Sequence, residues 1–275
     1  MLRRFRADLH IHTCLSPCGS LSMVPGVIVE EARRKELDVI GICDHNATEN
    51  VPAVRKAAEK RRIVVLGGME ITSEEEVHVL ALFDNDEKLF ELQKKVYDNL
   101  PGRNDERVFG EQVIVNENDE VVDVNDRLLI GATGLPLQAI VDAIHSLCGL
   151  AIASHVDRES FGIIGQLGFI PEGLPLDALE VSPGMSCEKA RISLPAWARG
   201  GLSADVRSTP GRSAANVPGQ GLPGVCGFPV GTFSDAHYPE HIGRRCTAFL
   251  VEGVQVEEMR MALLGREGRS VFLAE

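Results

Sequence analysis

The residues of this chain that could do chemistry sit at the edges of short apolar runs. "ADLHIHTC" holds His10 and His12, "GICDHN" ends in Asp44 and His45, "VVLGGME" in Glu70, and "VHVLALF" opens beside His78. "LAIASH" ends in His155, and "TFSDAH" in Asp235 and His237. Six of the eight histidines fall in this set, more than core packing alone explains. Neutral imidazole with carboxylate suits Zn, Mn or Fe, whereas an all-oxygen set would point to Mg or Ca. A His-x-His pair on one strand face sets two imidazoles ~7 Å apart at Cα, within reach of one ion. Nine candidate ligands exceed the need of one ion, and Glu70 could bridge two, so two or three divalent cations are expected. Ions ~3.5–4 Å apart can activate a shared water and stabilise both the attacking and leaving oxygens of a phosphate ester.

Each assignment has a plainer alternative. His10 and His12 as core residues would bury polar groups without partners. Asp44 could be a ligand or could orient a neighbouring ligand. His78 could be an ordinary strand residue. Cys18 could pack as a small apolar residue or ligate a metal. Arg158 could simply pair with an acid. His145 and His241 read as a helix-face and a loop histidine.

Residues 5 to 12 alternate, with Phe5, Ala7, Leu9 and Ile11 on one face and Arg6, Asp8, His10 and His12 on the other, which predicts a strand with one core face. Asp8 is expected on the histidine face as a partner behind them. "DVIGIC", "IVVLGG", "VHVLALF", "GLAIAS", "LDALEVS" and a last strand "CTAFLV" follow, and helical patterns such as "NDEKLFELQKKVYDNL" and "LPLQAIVDAIHSL" alternate with them. That rhythm predicts an α/β protein built on a parallel sheet, open or closed into a barrel, with its site at the strand C-terminal ends. Residues 101–130 interrupt it with a hairpin pattern, "EQVIVNENDEVVDV", that could form a lid. The Gly/Pro-rich stretch at 200–229 shows neither period and reads as a surface loop or a flap over substrate.

Composition narrows the function. With 275 residues, 44 % of them hydrophobic, the chain can bury a sizeable core, and it is read as one domain over 1–275. A net charge of −12 disfavours binding along a nucleic-acid backbone, leaving a nucleotide or a short end as the exception. No apolar run approaches the ~18 residues that span a bilayer, and no apolar segment follows the basic start, so a cytoplasmic protein with no membrane partner is expected. The seven cysteines, an odd number without a CxxC pair, are read as thiols. Oligomeric state is not encoded legibly.

"DLHIHT", "CDHN", "GMEIT" with "VHVLAL", "ASHVDR" and "FSDAH" stand in the order found in the PHP (polymerase and histidinol phosphatase) family of metal-dependent phosphoesterases, which the chain resembles over about 6–98 and 128–260. The resemblance implies a distorted (β/α)7 barrel with a trinuclear site at the C-terminal ends of its strands. It implies that His10, His12, Glu70 and Asp235 surround one metal, that Glu70, His78 and His155 surround a second, and that His45 and His237 hold a third. Relatives often place a His or Asp just after HxH, where this chain offers Cys18. The resemblance also implies a basic phosphate contact, for which Arg158 is the candidate, and a metal-activated water acting on a small phosphorylated metabolite or nucleotide. The leaving oxygen would take its proton from water, Asp235 or His237. Two other classes stay open: an amidohydrolase-like C–N or C–O hydrolase, which usually carries a strand lysine where Glu70 stands, and a non-catalytic metal-binding regulatory module.

Overall fold

The computed structural model describes residues 1–185 and 228–274, so residues 200–227 of the Gly/Pro-rich stretch lie outside the described residues. In chain order come β1 (Arg3–Ile11), α1 (Pro25–Arg34), β2 (Val39–Ile42), α2 (Val51–Ala58), β3 (Val64–Thr72), β4 (His78–Phe83), α3 (Asp86–Tyr97) and α4 (Glu106–Phe109). Then follow β5 (Val113–Val115), β6 (Val121–Val124), α5 (Leu137–Ser146), β7 (Leu150–Ala153), α6 (Ile163–Leu167), β8 (Ala178–Val181), β9 (Val230–Thr232), β10 (Cys246–Val251), α7 (Val256–Leu263) and β11 (Ser270–Ala274). No helix among the described residues is long and apolar enough to cross a membrane.

Nine strands form one sheet in the order β11-β10-β1-β2-β3-β4-β7-β8-β9. The sheet nearly closes on itself. Beyond β9, Ala236 pairs in parallel with Ile11, with His12 N–H donating to Ala236 O at 3.0 Å and Ala236 N–H to His10 O at 3.2 Å. The Thr247 hydroxyl spans the remaining gap, accepting from Thr232 N–H and donating to Thr232 O, both at 3.0 Å. Seven strands, β1 to β4 and β7 to β9, therefore make a distorted α/β barrel, as expected. It is not wholly parallel. β4 runs antiparallel to both β3 and β7, and β10 and β11 form an antiparallel extension on the N-terminal half of β1. "CTAFLV" is thus not the last strand, and "SVFLA" after it adds another.

Two apolar layers hold the strands. Ile28, Val54, Leu89 and Ile140 of the helices pack on Ile42, Met69 and Val79 outside the barrel. Leu9, Leu66, Leu80, Ile152 and Phe233 fill its interior, and Val256 and Met259 of α7 close its base. Burial of each large side chain contributes about 1.5–3 kcal/mol, and a one-residue slip would turn an entire strand's set outward. The strict alternation expected for β1 breaks at one point. The β1–β2 register shifts between Asp8 and Ile11, and Ala7 and Leu9 belong to the inner layer while Ile11 belongs to the outer. This irregularity turns His10 and His12 inward above Leu9. Gly41 permits it, because a Cβ there would lie 2.4 Å from Leu9 O.

The expected hairpin is β5–β6, with its turn at Asn116–Glu120. Its inner strand is fastened to the barrel: Val113 N–H donates to Cys14 O at 3.1 Å, Asn50 Nδ2 to Val113 O at 3.1 Å, and Val115 N–H to Asn50 Oδ1 at 2.9 Å. These bonds make it a buttress behind the loop that follows His12.

Candidate metal centre

The strand ends deliver their side chains to one mouth. β1 carries His10 and leads into His12, β2 leads into His45, β3 carries Glu70, β7 leads into His155, and the segment after β9 supplies Asp235 and His237. His78 begins its strand rather than ending it, yet β4 is reversed, and the Thr72–His78 pairing sets it at the same end. Three of these turns rest on non-glycine residues with left-handed backbone: Asn46 (φ 51°), His155 (φ 25°) and Asp235 (φ 48°). Such strain costs of order 1–3 kcal/mol each and clusters at functional sites.

Glu70 is the hub. Its Oε1 lies 3.0 Å from His78 Nδ1, 3.2 Å from His155 Nε2 and 3.5 Å from His10 Nε2. Its Oε2 lies 3.2 Å from His45 Nδ1 and 3.5 Å from His12 Nε2. His10 Nε2 and His12 Nε2 are 3.1 Å apart, with Asp235 Oδ1 3.4 and 3.3 Å from them. Three groups, His10–His12–Glu70, His45–Glu70–His78 and His12–His45–His237, each bring one ligand atom per residue within 4.8 Å of the others.

Buried partners aim these rings. Glu180 Oε2 faces His10 Nδ1 at 2.9 Å, so the proton sits on Nδ1 and Nε2 points inward. His237 Nδ1 donates to the Asp235 backbone carbonyl at 3.0 Å, leaving Nε2 free. The field is strongly negative. Burial acts to lower the His10 pKa, but Glu180, Glu70 and Asp235 outweigh it and hold the group well above its ordinary value. Burial and the neighbouring His237 push His12 down to about 3. Burial acts to raise Glu70 and Asp235, yet the surrounding histidines hold both carboxylates well below their usual range. Each neutral imidazole carries a single N–H, and with that of His10 turned toward Glu180, His10 Nε2 and His12 Nε2 at 3.1 Å have at most one proton to share between them. Among the described residues His155 Nδ1 is buried without a hydrogen-bond partner, and His45 Nδ1, although 3.2 Å from Glu70 Oε2, is not aligned for a hydrogen bond. A divalent cation fits such a donor set.

Among the other expected residues, Arg158 reaches the mouth, its side chain 40 % exposed and its guanidinium 2.6 Å from Asp235 Oδ2. Asp44 lies beside the cluster, but its oxygens are taken by Thr13 N–H (2.7 Å), the Thr13 hydroxyl (2.7 Å) and the Ser16 hydroxyl (2.6 Å). It is placed to orient neighbours. Cys18 is exposed at the rim and outside the three close groups, and desolvation with the Glu70 and Asp235 charges pushes its thiol up to about 12. Asp8 does not back the histidines. It accepts from Ser234 N–H (2.9 Å) and Gly243 N–H (2.8 Å), fastening the segment that carries Asp235. His145 pairs with Asp177 far from the mouth, and His241 lies in a 3-10 turn.

Three contributors escaped the sequence reading. Glu180 had a legible signal, a lone acid inside the apolar strand "ALEV". Ser16 had none. Phe161, at φ 61°, lays its ring parallel to His78 at 4.5 Å and accepts His78 N–H on its carbonyl at 2.9 Å. Nothing in its sequence context marks it.

The sequence profile of the PHP domain family matches residues 8–128, the span holding His10, His12, Asp44, His45, Glu70 and His78. No curated protein matches the sequence. The structure is similar to the lesion-specific endonuclease PfuEndoQ from Pyrococcus furiosus, at 19 % identity and TM-score 0.63, over 98 % of this chain and 58 % of that one. It is similar to Endonuclease Q in complex with a 27-mer duplex bearing an abasic lesion, at 20 % identity and TM-score 0.64, over 98 % and 58 %. A two-domain protein from Bacteroides vulgatus, described as containing a predicted PHP-like metal-dependent phosphoesterase, matches at 16 % identity and TM-score 0.51, over 98 % and 65 %. This chain spans less than two thirds of each, and at these identities the likeness is one of fold.

Proposed function

From a PHP domain match over residues 8–128 and a histidine-carboxylate cluster at a barrel mouth, we propose that this protein is a metal-dependent phosphoesterase acting on a small phosphorylated metabolite or a nucleotide. Glu70 carries the reading: both of its oxygens face imidazoles at 3.0–3.5 Å, the placement a carboxylate needs to bridge two cations. His10, His12 and Asp235 would complete one position, His78 and His155 a second, and His45 with His237 a third. The donor set suits Zn, Mn or Fe. Bound divalent ions would supply Lewis acidity toward phosphoryl oxygens and acidify a water molecule.

The chain's own groups do the rest. Arg158 holds the phosphate at the mouth, where its side chain is partly exposed and its charge is balanced by Asp235. Asp235, held well below the usual carboxylate range, stays ionised as a ligand and as the Arg158 partner, which makes it a poor proton donor. His237 keeps its proton on Nδ1 against the Asp235 carbonyl and offers Nε2 inward. Solvent water at the mouth therefore protonates the leaving oxygen. A cytoplasmic setting fits the free thiols of Cys14, Cys18, Cys43, Cys148 and Cys246. The net charge of −12 favours a small substrate or a nucleic-acid end over a long duplex, although structures of similar fold include lesion endonucleases.

The test is phosphate release from sugar phosphates, nucleoside monophosphates, aryl diesters and a lesion-bearing duplex, with amides and lactones alongside. Release that chelation abolishes and Mn, Zn or Fe restores is expected. Metal-replete protein inert on every phosphoester but active on an amide or lactone would replace this reading with the amidohydrolase one.

A further inference from the structure

His10 and His12 sit two residues apart and point the same way, yet their outer nitrogens are held differently. His10 Nδ1 meets a carboxylate directly. His12 Nδ1 meets the Ser16 hydroxyl at 2.9 Å, and that hydroxyl lies 2.6 Å from Asp44 Oδ1. Ser16 Oγ also accepts from His45 N–H at 3.2 Å. All three groups are buried.

A serine hydroxyl has one proton and two lone pairs, so these contacts fill it completely. The direction of the chain of bonds follows from Asp44. Its Oδ1 already receives Thr13 N–H, and its Oδ2 receives the Thr13 hydroxyl, whose lone pairs are occupied by Leu15 N–H (3.1 Å) and Asn50 Nδ2 (2.9 Å). Asp44 is thus an acceptor on both oxygens, and the Ser16 proton must lie toward Oδ1. If it lay toward His12 instead, two oxygens 2.6 Å apart would face each other without a proton between them. With its only proton committed, Ser16 can do nothing for His12 Nδ1 but accept.

We infer that Ser16, braced by Asp44, is a positioning residue that fixes the Nδ1–H tautomer of His12 and so presents Nε2 to the cation as a bare lone pair. The inference rests on the reading that this cluster holds metal, but the tautomer it assigns belongs to the chain itself. It explains why Asp44 is buried among hydroxyls instead of facing the cluster. It also explains the buttress. Asn50 joins the Thr13 hydroxyl to the backbone of β5, so the hairpin steadies the far end of the same relay. A carboxylate fixes an imidazole tautomer by the same logic in hydrolytic triads, here at one hydroxyl's remove.

Two measurements test it. Long-range proton–nitrogen NMR of the metal-free wild-type protein should show His12 protonated at Nδ1 with Nε2 bare, and a proton on Nε2 alone would overturn the inference without any variant. Competition with a chromophoric chelator for Zn should show Ser16→Ala binding the cation about 10–100-fold more weakly than wild type, the range for partners behind a metal-bound histidine. Ser16→Thr, which keeps the hydroxyl, should recover most of the loss. Unchanged affinity in Ser16→Ala, or a folded Ser16→Thr no better than it, would contradict the relay. If metal-loaded wild type released no phosphate, the proposed function would fail while the tautomer and affinity results still stood.

Discussion

Two clusters of the same residue types lie at opposite ends of the barrel. At the base, Asp177 accepts from Ala151 N–H at 2.8 Å, pairs with His145 Nε2 at 2.8 Å and takes Arg260 Nε at 3.0 Å. Arg260 sends its remaining donors to Gly149 O and Glu257. Each of these contacts sets a donor against an acceptor. At the mouth, histidines, Glu70, Asp235 and Arg158 converge, but two buried imidazole nitrogens make no hydrogen bond among the described residues. A cluster of His, Asp and Arg is therefore not a site by composition. The base is a finished ion-pair network, and the mouth is a donor set short of positive charge.

That contrast can be broken at the mouth first. Glu70→Gln keeps the shape and removes the bridging charge, so phosphate release should fall by about a thousandfold or more, since a bound ion supplies several kcal/mol of transition-state stabilisation. Steady-state kinetics with metal content measured in parallel checks it. Arg158→Ala should lower kcat/KM about 10–100-fold, the worth of a charged hydrogen bond, with Arg158→Lys intermediate because it keeps charge but loses the fork. Glu180→Gln should weaken metal binding about tenfold or more by loosening the His10 tautomer, as read by chelator competition.

The base should respond in stability alone. Asp177→Asn is expected to leave kcat/KM unchanged and to cost about 1–3 kcal/mol at pH 7 in urea unfolding. Burial acts to raise the Asp177 pKa, but bonds from His145 and Ala151 N–H together with Arg260 lower it below its ordinary 3.8. Its stabilisation is therefore present above 3.8 and is lost as pH falls through the lower folded value, and the gap between wild type and variant should close there. Loss of activity in Asp177→Asn, or a gap that widens in acid, would erase the distinction between the two ends.

How much of this was legible depends on whether a signal was local. Apolar runs ending in His or acid marked the mouth, because a strand end is a one-dimensional pattern. His78 was found by type, but its reversed strand was not, since pairing direction depends on which strands become neighbours. The bulge in β1 was hidden for a similar reason: what permits it is the close pass of Gly41 under Leu9, 32 residues away in sequence. Glu180 broke an apolar pattern and could have been singled out. Ser16 could not, because its meaning lies in the three groups that fill its hydroxyl. The bearing of residues 200–227 on the mouth lies outside the described residues.

The most direct test of the central claim is the rate of phosphate release by protein reconstituted to known metal-to-chain ratios. The account predicts no release at zero metal and a rise that saturates at two or three ions per chain. Equal rates with and without metal, or no release at any ratio, would contradict it.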